Sequence, residues 1–529
     1  MPGWNSTETA VIDGVFRFAP AHARVVGEHA FDGVVGDASA SAIQARVQEI
    51  DQQLAALAGP NGLGRDQEID RRALVAQLRA SRFELSEQRT PFTDPLYYTG
   101  AGSELDISPY LKRDYAPLPV RLRSLGQHLD GYAGYLEAAR DNLEASLPRP
   151  NLEVAIEAAA GQADYLDREV RAVAEPDRAL LGRLDTAVAL VRDFVAFLTS
   201  RSAAAHDHDP LGARRFQQLL ATREMIDLDV AALERMIRDD VARNTARAED
   251  FARQLAPGQG IAGALEQIER GHPTAESIIA DVSGMLEAIR SFVLERELLS
   301  IPSEARCTVK PTPAYASYIS AALDSAGPLE STAQESYYYV TVPTAAWGKA
   351  RSEEWLRYLN YAVLTNTSIH EAYPGHYVQA LHERCASSLT RRVFWVQGTG
   401  EGYAHYCEEM MVEVGFSSTP GLAFAQTMDA LLRDCRALVA LGLHCRQMTM
   451  REAVEVFKRV GFQSELPATR EANRGAWDPL YLTYTLGKLL IYDLRRKHEQ
   501  RPDYSLRRFH DAFLDCGNLP IPLIGELLG

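Results

Sequence analysis

The stretch His370-Glu371-Ala372-Tyr373-Pro374-Gly375-His376 decides how the rest of this chain is read. In the HExxH pattern two histidines lie four residues apart on one helix. Both imidazoles then share a face and hold zinc, and the intervening glutamate activates water. Here the second histidine comes six residues after the first. Six residues turn an ideal helix through roughly 600°, leaving the two rings about 120° apart. A straight helix cannot bring them to one ion. Pro374 removes a helical hydrogen bond and its ring meets the carbonyl of His370, while Gly375 permits an abrupt turn. The segment is therefore read as HExxH with a Pro-Gly insertion, bulged so that His370 and His376 regain a common side. Glu371 becomes the expected proton acceptor.

Upstream, residues 352–373 read as one amphipathic helix, with Trp355, Leu359, Val363 and Asn366 on the face that carries His370. Downstream, Gly398-Thr399-Gly400-Glu401-Gly402-Tyr403-Ala404-His405-Tyr406-Cys407-Glu408 leads from glycines into a second helix. Glu401, His405 and Glu408 fall at i, i+4 and i+7, on one face. Glu401 is the expected third ligand, in a setting like that of many zincins, and Gly402 beside it lets helices approach closely. Glu408 is expected to orient a ligand histidine through its second ring nitrogen. His405 is read as a packed or supporting histidine, with ligation as the alternative. A set of two histidines and one glutamate leaves a coordination position open, as catalytic zinc sites do. Other divalent ions compete for the same donors.

Most of the remaining chain reads as helix. Residues 39–57 carry Ile43, Val47, Ile50, Leu54 and Leu57 at spacings of three and four, and the run Gly59, Pro60, Gly62 and Gly64 ends that stripe. Similar patterns cover residues 66–85, 118–143, 151–173, 178–200, 211–255 and 274–299. The texture changes near residue 300, where Pro302, Pro311 and Pro313 interrupt helix formation. Residues 336–342, SYYYVTV, are aromatic and β-branched and form the best strand. The expected fold class is mainly α: a large helical, zincin-like body of the gluzincin type with one small β-sheet near the active site. Residues 1–300 form a helical scaffold lobe and residues 301–529 a metal-binding lobe, an arrangement that one continuous domain also accommodates.

Composition bounds the partners. The 529 residues carry 55 basic and 71 acidic side chains, a formal net charge of −16 that repels nucleic acid and anionic lipid surfaces. No segment reaches the roughly 18 uninterrupted apolar residues of a membrane span. Residues 1–19 lack a basic start followed by an apolar run, which predicts no secretory signal and a cytoplasmic protein. The six cysteines contain no CxxC pair, so neither a disulfide framework nor a cysteine zinc site is expected.

Further roles follow from the chemistry of acyl transfer. A developing oxyanion needs a donor beside the metal, and Tyr484, on a helix expected over 479–497, is the candidate. Lys488 follows one turn later on the same face and is expected to contact the substrate. Arg474 can clamp a substrate carboxylate bidentately. Tyr338 and Tyr339 lie on the strand that can offer an open edge to an extended peptide.

These motifs resemble one known family. HEAYPGH followed by a Glu-Gly-aromatic-Ala helix is similar to the bacterial proteins grouped as domain of unknown function 885. The likeness runs nearly end to end. It takes in residues 26–40, the strand at 337–343, the stretch 474–495 (RGAWDPLYLTYTLGKLLIYDLR), and Phe509-His510-Asp511 with Gly517 and Pro520. Three places depart from the family pattern: Tyr403 stands for its usual tryptophan, Gly475 for its usual tyrosine after Arg474, and Asp478-Pro479-Leu480 for its usual Pro-Gly turn. The resemblance implies a metallopeptidase-like protein with a helical body in the style of helical zinc carboxypeptidases and oligopeptidases.

Three functional readings stand at this point. The first is a zinc-dependent hydrolase that cleaves short peptides or peptide-like amides, carboxypeptidase- or oligopeptidase-like. The second is a zinc amidohydrolase dedicated to one small molecule. The third is a non-catalytic helical binding protein. Oligomeric state is left open.

Overall fold

The computed structural model describes residues 3–59, 62–100, 102–175, 177–313 and 320–529. Met1 and Pro60, which entered the reading of the N-terminus and of the first helix-ending run, lie outside the described residues. Helix accounts for 69% of the chain and strand for 3%, so the protein is mainly helical with one small sheet.

The chain divides into two compact units, and the division differs from a boundary at residue 300. One comprises Met1–Asp209, Ala326–Gln334 and Ser388–Phe394; the other comprises Pro210–Ser325, Glu335–Ser387 and Trp395–Gly529. In the first unit, α1 (Trp4–Phe18), α2 (Ala40–Leu57) and α3 (Arg65–Phe83) bury Val11, Ile12, Phe16, Ile43, Ile50, Leu57, Leu74 and Leu78 in a shared core. Ser39 caps α2 by accepting a hydrogen bond from the Ala42 amide, as a serine at that position does. Farther along, α4 (Arg149–Tyr165) packs against α5 (Arg178–Ser200).

The second unit begins well before residue 300 because its longest early helix, α6 (Val230–Leu255), packs along α11 (Pro420–Cys445). α7 (Ile278–Glu295) lies against α8 (Tyr361–Glu371). α9 (His376–Cys385) and α10 (Gln397–Glu413) follow, then α12 (Glu465–Trp477) and α13 (Thr483–His498).

The expected single helix over 352–373 is two helices. Lys349–Tyr358 ends, and Asn360 starts α8 by accepting hydrogen bonds from the amides of Ala362 and Val363 at 3.1 and 3.2 Å. A side chain able to cap competes with helix continuation, and here the cap wins. Asn366 and His370 still share a face, because both belong to α8.

The sheet has the order β1 (Thr308–Pro311), β3 (Tyr337–Val340), β2 (Ala321–Asp324), with β1 parallel and β2 antiparallel to β3. β3 is therefore the central strand, with both edges paired. The expectation that Tyr338 and Tyr339 present a free edge is corrected: the edge strands are β1 and β2. Thr341 N–H donates to Ser320 O at 2.9 Å, which fixes the alternation of hydrogen-bonded pairs. Leu323, opposite Tyr338, consequently turns its N–H and C=O away from β3.

One contact fixes α10 against α13. A Cβ on Gly402 would lie 2.5 Å from the Cα of Gly487, and a Cβ on Gly487 would drive into the carbonyl oxygen of Gly398. The two backbones touch directly, so no side chain fits between them. Substituting Gly487→Ala is expected to destabilise the fold by about 2–3 kcal/mol through overpacking against rigid backbone. Gly284→Ala, on α7 where a Cβ meets nothing within 4 Å, is expected to be neutral or stabilising by up to ~1 kcal/mol. Denaturant unfolding of both variants beside the parent measures the difference.

Candidate metal centre

The chain between the two histidines breaks rather than bulges. α8 stops at Glu371, and Ala372 leaves helical geometry at φ −118°, ψ −80°. The Tyr373–Pro374 peptide is cis, and α9 starts afresh at His376. The turn is closed by Tyr373 N–H donating to Ser368 O at 3.3 Å and Gly375 N–H donating to Ile369 O at 3.0 Å. Any Cβ at position 375 would run into the carbonyls of Ile369 and His370, so only glycine lets the chain turn this tightly. His370 thus ends one helix and His376 opens the next. Their ring centroids are 4.8 Å apart at 87°.

Glu401, on α10, completes the set. Its Oε2 lies 3.4 Å from His370 Nε2 and 3.4 Å from His376 Nε2. The donor atoms of these three residues fall within 4.8 Å of one another, the one such group of metal-capable side chains among the described residues. Donors around a tetrahedral zinc with bonds near 2.0–2.1 Å sit roughly 3.4 Å apart, so the spacing fits the ion. Each ring also has its other nitrogen engaged: His370 Nδ1 meets Glu408 Oε1 at 2.7 Å, and His376 Nδ1 meets Gln379 Oε1 at 3.4 Å. That arrangement commits both Nε2 atoms to the shared centre.

Glu408 is fully buried and held from several sides. Arg433 Nη2 lies 3.0 Å from its Oε1, and Asn366 Nδ2 donates to its Oε2 at 3.0 Å. His405 Nδ1 is 3.3 Å from the same Oε2. Burial alone would raise the Glu408 carboxyl, but Arg433, His405 and His370 hold it well below the usual carboxylate range. Glu401 behaves likewise: burial opposes its charge, and His376 and His370 outweigh burial. Burial also opposes the charged form of His370, yet hydrogen bonds to Glu401 and Glu408 raise it to about 9. His405 is not part of the donor set; it is completely buried beside Glu408.

Beside the trio is a cavity of about 310 Å³ lined by Ala322, Leu323, Ser325, His370, Glu371, His376, Gln379, Ala380, Glu383, Trp395, Glu401 and Tyr484. Glu371 faces it, and its Oε2 accepts a hydrogen bond from Leu323 N–H, on the outer edge of β2, at 2.8 Å. The Tyr484 ring stacks 6.4 Å from His370, at 14°. Burial, with the charge of Glu401, pushes its hydroxyl up to about 12 against the opposing pull of Arg474 and Arg436.

Four expected substrate contacts are corrected. Lys488 is fully buried, with Nζ 2.7 Å from Asp240 Oδ2 and 3.5 Å from Glu409 Oε2, because α6 and α10 supply carboxylates that take up its charge. Arg474 pairs with Asp478 at 3.0 Å and stacks 5.7 Å from the Tyr484 ring, so it backs that tyrosine instead of lining the cavity. Tyr338 is fully buried in the sheet, and Tyr339 stands opposite Ala322 within it; neither lines the cavity.

Sequence reasoning missed several participants. Gln379, Ala380 and Glu383 follow His376 at i+3, i+4 and i+7 on α9, a periodicity that could have flagged them. Trp395 packs against Gly400, where a Cβ would overlap its indole, and its ring lies 6.0 Å from His376. Glu224 accepts a hydrogen bond from Gly398 N–H at 3.0 Å and so caps α10, with burial raising its carboxyl to about 7. No local pattern pointed to Glu224, Leu323 or Arg433.

The fold and the donor set define a class: a mainly helical protein with a partly buried two-histidine, one-carboxylate constellation opening on a cavity. The family model described as "Bacterial protein of unknown function (DUF885)" matches residues 20–528, and the chain belongs to that family. Two solved structures share the fold. One is described as "a putative lipoprotein of unknown function" from Shewanella oneidensis, with a TM-score of 0.83, 21% identity and 100% of both chains covered. The other, "the putative lipoprotein from Colwellia psychrerythraea", has a TM-score of 0.83 and 16% identity over 99% of this chain and 98% of its own. No curated protein matches the sequence. Among the described residues no helix is long and apolar enough to cross a membrane.

Because Glu408 fixes the orientation of His370, Glu408→Gln is expected to weaken zinc binding by about 10–100-fold. Competition with a chromogenic chelator measures this, and a thermal melt of the same sample separates loss of affinity from loss of fold.

Proposed function

We propose that this protein is a zinc-dependent hydrolase of peptide or peptide-like amide bonds. The observation that carries the reading is the meeting of His370, His376 and Glu401 within 4.8 Å, next to Glu371 at the wall of an open cavity. A binding protein has no need of a free carboxylate beside such a donor set, whereas amide hydrolysis needs one.

Zinc held there would supply Lewis acidity toward a carbonyl oxygen and acidify water. The remaining work falls to side chains of this protein. Glu371, steadied by the Leu323 amide, takes a proton from the attacking water and delivers it to the leaving amine. Tyr484, whose hydroxyl stays protonated near neutral pH, donates a hydrogen bond to the carbonyl oxygen as negative charge develops. Glu408 keeps His370 in the tautomer that exposes Nε2. The cavity volume of about 310 Å³ is at the low end for ligand pockets, which favours short peptides and also suits a single small amide.

Purified protein is expected to hold one zinc per chain by elemental analysis. Glu371→Gln should keep that zinc and lose roughly 10²–10⁴-fold in turnover, the range for a general base. A fully active variant, or a parent protein without stoichiometric metal, would overturn the proposal. Cleavage of many unrelated short peptides supports the peptidase form, and cleavage of one small amide alone supports the dedicated form.

A further inference from the structure

The cavity wall is charged in one direction. Three carboxyl side chains line it, Glu371, Glu383 and Glu401, and no lysine or arginine does so among the described residues. The guanidinium groups beside Tyr484 are already paired, Arg433 with Glu408, Arg436 with Glu471 and Arg474 with Asp478, and Arg384, next to Glu383 in the chain, acts on its carboxyl without lining the cavity. A divalent ion at the donor set balances Glu401 and Glu371. Glu383 is then the lining carboxyl that no lining cation meets, with only the charge of Arg384 acting on it from outside the cavity wall.

Glu383 is built into its place. It stands two turns after His376 on the cavity face of α9, and its carboxyl receives a hydrogen bond from Asn518. Asn518 is itself buried and oriented, since its Oδ1 accepts the Val396 amide at 3.2 Å. The residue before Val396 is Trp395, whose indole borders the same cavity and remains 51% exposed. Desolvation pushes the carboxyl of Glu383 up to about 8, outweighing the Asn518 hydrogen bond and the charge of Arg384. A carboxyl near an exposed indole face is the chemistry that receives an ammonium group, by ion pairing and by cation–π attraction.

We propose that Glu383 and Trp395 form a subsite for an alkylammonium group, so that the cavity takes peptides or amides bearing a free amine close to the scissile bond. This names the substrate class of the hydrolase reading and rests on it. It also replaces the carboxylate clamp expected of Arg474. The ammonium can be a peptide N-terminus or a lysine side chain, and one experiment distinguishes them.

Zinc-loaded Glu371→Gln protein is titrated by calorimetry at pH 7 with three probes: the amidated tripeptide Ala-Phe-Ala, its N-acetyl form, and the N-acetyl form with lysine as first residue. Zinc content is measured on the same samples. Binding of the free-amine peptide at least tenfold tighter than the acetylated one, with the preference lost when Glu383→Gln is added, supports an N-terminal ammonium. Preference for the lysine probe alone, lost in the same variant, supports a side-chain ammonium. Equal affinity for all three, no binding of any, or a preference that survives Glu383→Gln overturns the subsite. Zinc present without amine discrimination removes this inference only, whereas absence of zinc removes the hydrolase reading beneath it.

Discussion

The direction of two imidazoles depends on four residues of turn. From Ala372 to Gly375 the chain leaves one helix, reverses its hydrogen bonding onto the carbonyls of Ser368 and Ile369, and begins another. Everything at the centre follows from that geometry. His370 projects from the end of a helix whose position is set by α10 and α11, and His376 projects from the start of a helix set by α10. Had the helix run on, the rings would diverge and Glu401 would have a single partner.

Holding ionised groups in such a place requires that each be answered. Glu408 is completely buried, yet every neighbour that approaches it donates: Arg433, Asn366, and the rings of His370 and His405. A second buried assembly lies on α6, α10 and α13, where Lys488 meets Asp240 and Glu409; the more exposed Arg243 and Arg247 also pair with Glu409 from outside it. Removing one member of such an assembly leaves a charge in low dielectric and costs about 3–5 kcal/mol, whereas the intact set contributes little net stability. Its worth is in fixing positions. The side chains around the centre are locked by partners on other helices, so a donor set can keep its spacing before any ion arrives.

Legibility in the sequence follows locality. His370, His376, Glu401 and Glu408 were readable because each sits in a short motif whose spacing carries its chemistry, and the strand at 337–340 was readable from its aromatic and β-branched composition. The helix expected over 352–373 divides at one point, since Asn360 serves equally as a helical residue and as a cap, and only the fold selects between them. Lys488 failed for a different reason. A face of a helix is visible in sequence, but whether that face meets water or Asp240, 248 positions earlier, is not. Glu224 and the Leu323 amide belong to the same category: their roles arise from segments that meet only after folding. The family likeness supplied the extent of the chain to be read as one protein, and residues 20–528 match that family.

The bare crossing of Gly402 and Gly487 sets Glu401, next to Gly402 on α10, and Tyr484, three residues before Gly487 on α13, on a common ruler. Their separation is set by peptide against peptide, with no rotamer in between. Walls such as Ala322, Ala380 or Ser325 can therefore be exchanged, reshaping the cavity, without changing the spacing of the two helices behind it. A scaffold of this kind separates calibration from taste: the measuring edge is main chain, and selectivity is left to side chains free to drift.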